Sequence, residues 1–116
     1  MSVRPEGTGK RDLTYSTWHR NELNKYCAAI DIDWVEYRYG KIVCLLEEKS
    51  ENSPILEHEK RYMVIIGDAL DVPVYVFYHN MREGNLPPFK FERVDLRTGQ
   101  SVMFSEEEWK KWLEQL

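Results

Sequence analysis

The sequence predicts a single α/β domain with a mixed central β-sheet flanked by helices. A length of 116 residues fits one domain rather than two. A hydrophobic fraction of 42% and an aromatic fraction of 13% exclude a disordered chain. Segments of helical periodicity also alternate with short apolar segments typical of strands, in the order helix, hairpin, helix, strand, hairpin, helix.

The first half of the chain carries the signals for a tail, a helix and a hairpin. Residues 1–12 are polar and contain two glycines, so they predict a flexible tail that leaves 13–116 as the folded domain. Tyr15, Trp18 and Glu22 share one face of a helix predicted over 14–24. The two strands of the hairpin are predicted over 27–39 and 42–46, on either side of a turn at Gly40.

The next segment predicts a long helix and a buried strand. Ser53 is the expected N-cap and Pro54 suits the first turn, so the helix is predicted over 54–70. Leu56, Met63, Ile66 and Leu70 form its apolar stripe, which also includes the charged Glu59 and has Val64 and Gly67 beside it. The β-branched and aromatic run Val74–Tyr78 follows as a strand.

The last third of the chain predicts a second hairpin and a terminal helix. Strands are expected over 89–96 and 101–104, joined by a turn that contains Gly99. Ser105 and Glu108 form the capping box of the helix that follows. Its apolar stripe, made of Trp109, Trp112 and Leu113, is expected to pack on the sheet.

The charge of the chain is acidic and unevenly distributed. The 16 basic and 20 acidic residues give a net charge of −4, which argues against a polycation that coats nucleic acid. Residues 1–49 carry 8 of each sign, whereas residues 50–116 carry 8 basic and 12 acidic residues. The first half is therefore the better candidate for nucleic-acid contact.

The two cysteines and the lack of a long apolar run predict a soluble, intracellular protein located in the cytoplasm. Cys27 and Cys44 lie in apolar stretches without zinc-ligand spacing, so we expect buried, reduced thiols. No apolar run reaches the length that spans a bilayer, and the N-terminus has no apolar signal core.

The predicted first hairpin brings three charged residues together. Asp33 lies seven residues before Gly40 and Glu47 lies seven after it. Equal arms about the turn place these two carboxylates side by side. Lys49 follows Glu47 by two residues and shares its face, whereas Glu48 faces the other way.

Two carboxylates and a lysine in this arrangement favour metal-dependent phosphodiester hydrolysis. Adjacent carboxylates repel each other, and a hard divalent cation relieves that repulsion. Mg²⁺ prefers one or two carboxylates together with water and phosphate oxygens. A nearby lysine orients the attacking water or stabilises the charge that develops on phosphorus.

This pattern resembles the PD-(D/E)XK nuclease superfamily, which includes restriction endonucleases, Holliday-junction resolvases and RecB-type nuclease domains. The resemblance covers most of the chain and implies an α-β-β-β-α-β core. It assigns Asp33, Glu47 and Lys49 as catalytic residues and Mg²⁺ or Mn²⁺ as the cofactor. Asp33 and Glu47 would hold the metal, with Asp31 and Glu22 as additional ligands. Ile32 stands where the superfamily has a proline, and Asp31 competes with Asp33 for the ligand role.

The resemblance also implies DNA as the substrate. His19, Arg20 and Lys60 are the expected substrate-binding residues. The small size of the chain predicts a homodimer that recognises DNA structure, such as a junction, a flap or an end. An alternative from another class is a catalytically inactive nucleic-acid-binding or complex-assembly module on the same fold. A third possibility is a structural domain whose carboxylates are merely exposed.

Overall fold

A computed structural model describes residues 14–25, 29–82 and 84–116. The chain divides into two units, Met1–Ile30 and Asp31–Leu116. The predicted tail over residues 1–12 and Cys27 lie outside the described residues, so both stay predictions.

The first unit contains helix α1, Thr14–Glu22. The predicted helix is confirmed, although it ends at Glu22 rather than Asn24. The rings of Tyr15 and Trp18 stack along one side with their centroids 5.7 Å apart, as their spacing of three residues predicts.

The second unit is a five-stranded mixed sheet with two helices. Its elements are β1 (Trp34–Arg38), β2 (Lys41–Ser50), α2 (Glu57–Leu70), β3 (Val74–His79), β4 (Lys90–Asp95), β5 (Ser101–Ser105) and α3 (Glu106–Glu114). The strands lie in chain order, with β2 and β3 parallel and the other pairs antiparallel. Helix α2 is the crossover between the parallel strands. The predicted α/β class and mixed sheet are confirmed. The described residues place two strands between α1 and α2, where the core implied by the resemblance has three.

The first strand is much shorter than the sequence predicts. The prediction ran over 27–39, but β1 begins at Trp34, and residues 29–33 have no regular structure. β2 continues beside these residues as far as Ser50, where the Ser53 N–H donates to the Ser50 carbonyl at 3.1 Å. The strand pairing stops earlier, because the Asp33 side chain accepts the Glu48 N–H at 2.9 Å in place of a main-chain carbonyl.

The first hairpin combines a two-residue turn with a bulge that shifts its register. Tyr39 and Gly40 have φ of 50° and 81°, which is the two-residue turn that matches strand twist. Arg38 pairs with Lys41 next to this turn, but the register shifts before Glu36 pairs with Cys44. Val43 is left without a partner in β1, so the pairing beyond it is moved by one residue.

The sheet has a core on each face. The α2 face buries Leu45, Met63, Val72, Val74, Val76 and Leu96, and the α3 face buries Cys44, Leu46, Phe77, Phe91 and Trp109. Successive residues of β2 therefore alternate between two buried environments, which explains its continuous apolar run. The prediction of a buried Cys44 is confirmed, and burial raises the pKa of its thiol to about 12.

Helix α2 begins three residues later than predicted. Its N-cap is Leu56, and the Leu56 N–H donates to the Glu59 carboxylate at 3.0 Å. Ser53 does not cap the helix, because its hydroxyl pairs with that of Ser50 at 3.0 Å. The predicted stripe is correct at its centre, where Met63 is fully buried, but Leu56 and Leu70 at its ends are 51% and 45% exposed.

The predicted capping box of α3 is confirmed. The Ser105 hydroxyl accepts from the Glu108 N–H at 3.2 Å, and the Glu108 carboxylate accepts from the Ser105 N–H at 2.9 Å. Trp109 then stacks on Phe91 with their centroids 5.0 Å apart, which fixes α3 to the sheet as expected. No helix within the described part of the chain is long and apolar enough to cross a membrane.

Candidate functional site

The predicted pair of carboxyl groups comes together at the start of β1. Trp34 pairs with Leu46, so the register carries Asp33 beside Glu47. The two carboxyl groups are close enough that the charge and the side-chain hydrogen bonding of Asp33 raise the pKa of the Glu47 carboxyl. The second Asp33 contact is to the main chain, because its Oδ2 accepts from the Glu48 N–H at 2.9 Å. Asp33 thus binds the main chain of β2 directly beside the Glu47 side chain.

Glu47 is a buried acid with an unused oxygen. The residue is only 6% exposed, since it follows Leu45 on the face that α2 covers. Its Oε2 has no hydrogen-bond partner among the described residues. A buried carboxyl oxygen without a partner is costly, and a cation would satisfy it.

The surroundings of Glu47 favour its protonated form. Burial, then the charge of Asp33, the hydrogen bond to Asp33 and the charge of Glu59 raise the pKa of the Glu47 carboxyl to about 8, and Lys49 opposes the shift. The Glu47 carboxyl therefore holds its proton at neutral pH. A divalent cation that binds there must displace this proton.

Lys49 lies on the same face as Glu47, as predicted, and its ammonium group pairs with α2. Its Nζ lies 3.0 and 3.1 Å from the two oxygens of Glu59. Burial works against ionised Glu59, but the bonds from the Leu56 N–H and from Lys49 lower the pKa of its carboxyl overall. Glu59 therefore fixes the direction of the Lys49 side chain.

Tyr62, one turn after Glu59, closes the α2 side of the site. Its hydroxyl donates a long hydrogen bond of 3.4 Å to the Asp31 carbonyl. Burial first, and then the charges of the four nearby carboxylates, raise the pKa of Tyr62 to about 12. It remains a neutral hydrogen-bond donor. The ring also packs against the core of the α2 face.

The other predicted site residues have different positions. Asp31 is exposed and adjoins the site through its main chain. Lys60 is exposed on α2. His19, Arg20 and Glu22 lie on α1 in the first unit, so their roles in the site stay predictions. Within the described ranges, no group of three or more His, Cys, Asp or Glu side chains is arranged to hold a metal ion.

Sequence reasoning identified the carboxyl pair but missed the partner of Lys49. The available signal was Glu59 itself, a carboxylate within the apolar stripe of α2. A charged residue in such a stripe needs a partner on the element that the helix covers. That partner is Lys49 on β2.

Comparisons of the chain with protein-family models, with curated proteins and with solved structures returned no significant match.

Proposed function

We propose that this protein is a Mg²⁺- or Mn²⁺-dependent deoxyribonuclease that hydrolyses phosphodiester bonds through the Asp33, Glu47 and Lys49 site. One observation carries the proposal: buried Glu47, with an unpartnered oxygen, lies beside Asp33 on the sheet face that also carries Lys49. A carboxylate pair with unsatisfied oxygen is the donor set that Mg²⁺ prefers. Asp33 and Glu47 would hold the ion, which would supply charge neutralisation at the phosphate.

The residues of the chain prepare the site for this chemistry. Glu47 gives up its proton when the cation enters, because two ionised carboxylates in contact need a positive partner. Lys49, held by Glu59 at 3.0 Å, presents a fixed cation to the attacking water or to the phosphate oxygens. Tyr62 supplies a neutral hydrogen-bond donor at the edge of the site.

The proposal extends to the fold, the substrate and the assembly. The hairpin with Asp33 and Glu47, followed by an α2 crossover to a parallel strand, supports a restriction-endonuclease-like core. We propose DNA as the substrate, cleaved inside the cell by a homodimer that selects a junction, a flap or an end. Light scattering of the purified protein measures its mass in solution: twice the mass of 13.9 kDa supports the dimer, and the monomer mass overturns it.

Cleavage of labelled DNA tests the enzyme proposal. Linear duplex, flap and four-way junction substrates are incubated with Mg²⁺, with Mn²⁺ or with EDTA. We expect cleavage of at least one substrate that requires the divalent ion. Asp33→Asn, Glu47→Gln and Lys49→Met should each lower the rate at least about a hundredfold, roughly 2.7 kcal/mol of barrier.

Matched controls separate chemistry from folding. Glu57→Gln makes the same chemical change as Glu47→Gln at an exposed position of α2, and it should cleave like the parent. Circular dichroism verifies that each variant is folded. Metal-dependent cleavage that persists in all three site variants would show that a contaminating nuclease is responsible.

The alternative is an inactive nucleic-acid-binding or complex-assembly module. The observation that favours it is the double contact between Lys49 and Glu59, which satisfies the lysine without any substrate. The same experiment separates the two functions. DNA binding by the parent and by Lys49→Met, with no cleavage under either metal, supports the module and excludes the nuclease.

A further inference from the structure

On the α3 face of the sheet, a second group of polar side chains lies behind the proposed metal site. The Trp34 indole N–H donates to Glu48 Oε1 at 2.8 Å. His79 Nε2 lies 2.8 Å from the other oxygen of the same carboxylate. Trp34, Glu48 and His79 belong to three neighbouring strands, β1, β2 and β3. We call these three side chains the strand clamp.

The tautomer of His79 is fixed by a main-chain contact. The Met81 N–H donates to His79 Nδ1 at 3.0 Å, so Nδ1 is an acceptor. Nε2 then carries the proton and donates a hydrogen bond to Glu48. Both carboxylate oxygens of Glu48 therefore receive a directed hydrogen bond, one from each neighbouring strand.

The strand clamp is connected to the carboxyl pair through the main chain. Trp34 directly follows Asp33, and the N–H of Glu48 itself donates to Asp33 Oδ2 at 2.9 Å. The bond between Trp34 and Glu48 therefore closes a ring that includes the Asp33 contact. Within the described residues, the chain upstream of Trp34 forms no strand pairs. The bond between Trp34 and Glu48 is therefore the cross-strand contact that directly adjoins Asp33.

We propose that the strand clamp of Trp34, Glu48 and His79 positions Asp33 against Glu47, so that the two carboxyl groups are held ready for the cation. These are positioning residues, because their side chains contact neither the reacting atoms nor the carboxyl groups of Asp33 and Glu47. The clamp side chains line a cleft of about 580 Å³ on the α3 face, opposite the face of Glu47 and Lys49. The inference rests on the proposed function for its effect on metal, but its effect on Asp33 is independent of catalysis.

Amide hydrogen exchange tests the clamp in the metal-free protein. The Glu48 N–H reports directly on the bond to Asp33, and the Leu45 N–H, bonded to the Pro73 carbonyl at 3.1 Å, serves as the internal reference. Trp34→Phe keeps an aromatic ring but removes the donor. We expect it to speed Glu48 exchange at least about tenfold relative to Leu45.

Three further variants guard against a general loss of stability. His79→Leu should also speed Glu48 exchange, whereas His79→Gln, which retains an N–H donor, should restore most of the protection. Tyr37→Phe is the matched control, because it changes an exposed aromatic residue of the same strand outside the clamp. Unchanged Glu48 exchange in folded Trp34→Phe and His79→Leu overturns the proposal.

Mn²⁺ calorimetry provides the second readout. We expect Trp34→Phe and His79→Leu to bind Mn²⁺ about tenfold more weakly than the parent, and His79→Gln to bind it nearly as well. Equal Mn²⁺ affinity in variants whose Glu48 exchange is faster would overturn the role in the metal site. If the parent itself binds no Mn²⁺, the proposed function fails, and the exchange rates alone decide whether the clamp positions Asp33.

Discussion

Glu47 is the residue that sets the pH response of the molecule. Its raised pKa of about 8 means that the folded state holds a proton that the unfolded chain releases near the ordinary glutamate value of 4.5. The stability from this proton is fully present below 4.5 and is lost as pH rises through 8. A cation at the carboxyl pair would replace the proton and remove this loss.

For Glu47 we predict that the free energy of unfolding falls between pH 5 and pH 8 in metal-free protein. The slope should approach about 1.4 kcal/mol per pH unit for this one proton. Glu47→Gln should flatten the slope, and Mg²⁺ should restore stability in the parent above pH 7. Urea titrations at several pH values measure this. Glu51→Gln, at an exposed position, should keep the parental slope, and a parental slope in Glu47→Gln would contradict the assignment.

Glu59 gives a prediction about the lysine. Glu59→Gln keeps an acceptor for the Leu56 N–H but removes the charge that holds Lys49 at 3.0 Å. We expect kcat to fall about tenfold, roughly 1.4 kcal/mol, because Lys49 loses its fixed direction. The acidic limb of the pH–rate profile should also move to lower pH, since Glu59 contributes to the raised pKa of Glu47.

Steady-state kinetics across pH test this prediction, with Glu57→Gln as the control on the same helix. An unchanged kcat in Glu59→Gln would mean that Lys49 needs no partner for its task. A lower kcat without a shift of the pH–rate profile would support the role of Glu59 in positioning Lys49 and contradict its effect on the pKa of Glu47.

Counting equal arms from Gly40 placed Asp33 beside Glu47, and the count agrees with the structure because the unpaired Val43 shifts the register of the two-residue turn by one residue. Counting could not predict the contacts of Glu59 and Tyr62, because these depend on how α2 rotates about its axis when it packs on the sheet. His79 is a similar case. Its partner Glu48 lies on a parallel neighbour, and no local pattern gives the register of parallel strands.

At the scale of helices and strands, a short sequence pattern predicts the structure correctly where neighbouring residues alone determine it. The capping box of Ser105 and Glu108 is such a case, since both partners lie within four residues. Ser53 is the opposite case. Its position before proline suits an N-cap, but its hydroxyl is engaged by Ser50. The helix therefore starts where Leu56 can offer its N–H to Glu59.

The N-cap of α3 yields a stability prediction. Ser105→Ala leaves the Glu108 N–H without its side-chain acceptor, so we expect a loss of about 1 kcal/mol. For a domain of this size that loss lowers Tm by roughly 4–8 °C. Ser105→Asp retains an acceptor and should remain within about 0.5 kcal/mol of the parent. Thermal unfolding measures both variants, and an unchanged Tm in Ser105→Ala would show that the cap contributes nothing.

At the scale of the whole molecule, the charge implies that the proposed binding of DNA would depend on a cation. The chain has a net charge of −4, and the carboxylates of Asp31, Asp33, Glu47 and Glu59 all act on Tyr62. A phosphate backbone brought to this site meets negative charge unless a cation intervenes. The overall acidity therefore does not exclude DNA, but it requires the metal first.

We predict that Ca²⁺, used as a non-hydrolysing stand-in for Mg²⁺, strengthens DNA binding at least about tenfold relative to EDTA. Fluorescence anisotropy of labelled DNA measures the affinity at fixed ionic strength, because added salt alone weakens phosphate contacts. Asp33→Asn should lose the Ca²⁺ effect. Equal affinity in Ca²⁺ and EDTA would indicate that DNA binds away from the carboxyl pair.

The class of the fold is predictable because the helical and the extended periodicity of the sequence can be recognised even where the ends of helices and strands are predicted wrongly. The mixed sheet, the α2 crossover and both hairpins follow from them. The limits of β1 do not, because an alternating pattern continues upstream of Trp34 although the Asp33 side chain, and not a main-chain carbonyl, accepts the Glu48 N–H. The length of a strand depends on both of the strands that pair, whereas a sequence pattern describes each strand separately.

Unpaired Val43 has a consequence for how the hairpin tolerates changes in length. The two-residue turn alone would set Asp33 opposite Leu46, and the bulge moves it opposite Glu47. Removing Val43 would leave the pairs on both sides of it unchanged, Tyr37 with Ile42 and Glu36 with Cys44. A one-residue deletion at this position is therefore the loss that the hairpin can absorb, whereas the same deletion between Leu45 and Glu47 would turn Glu47 toward the opposite face.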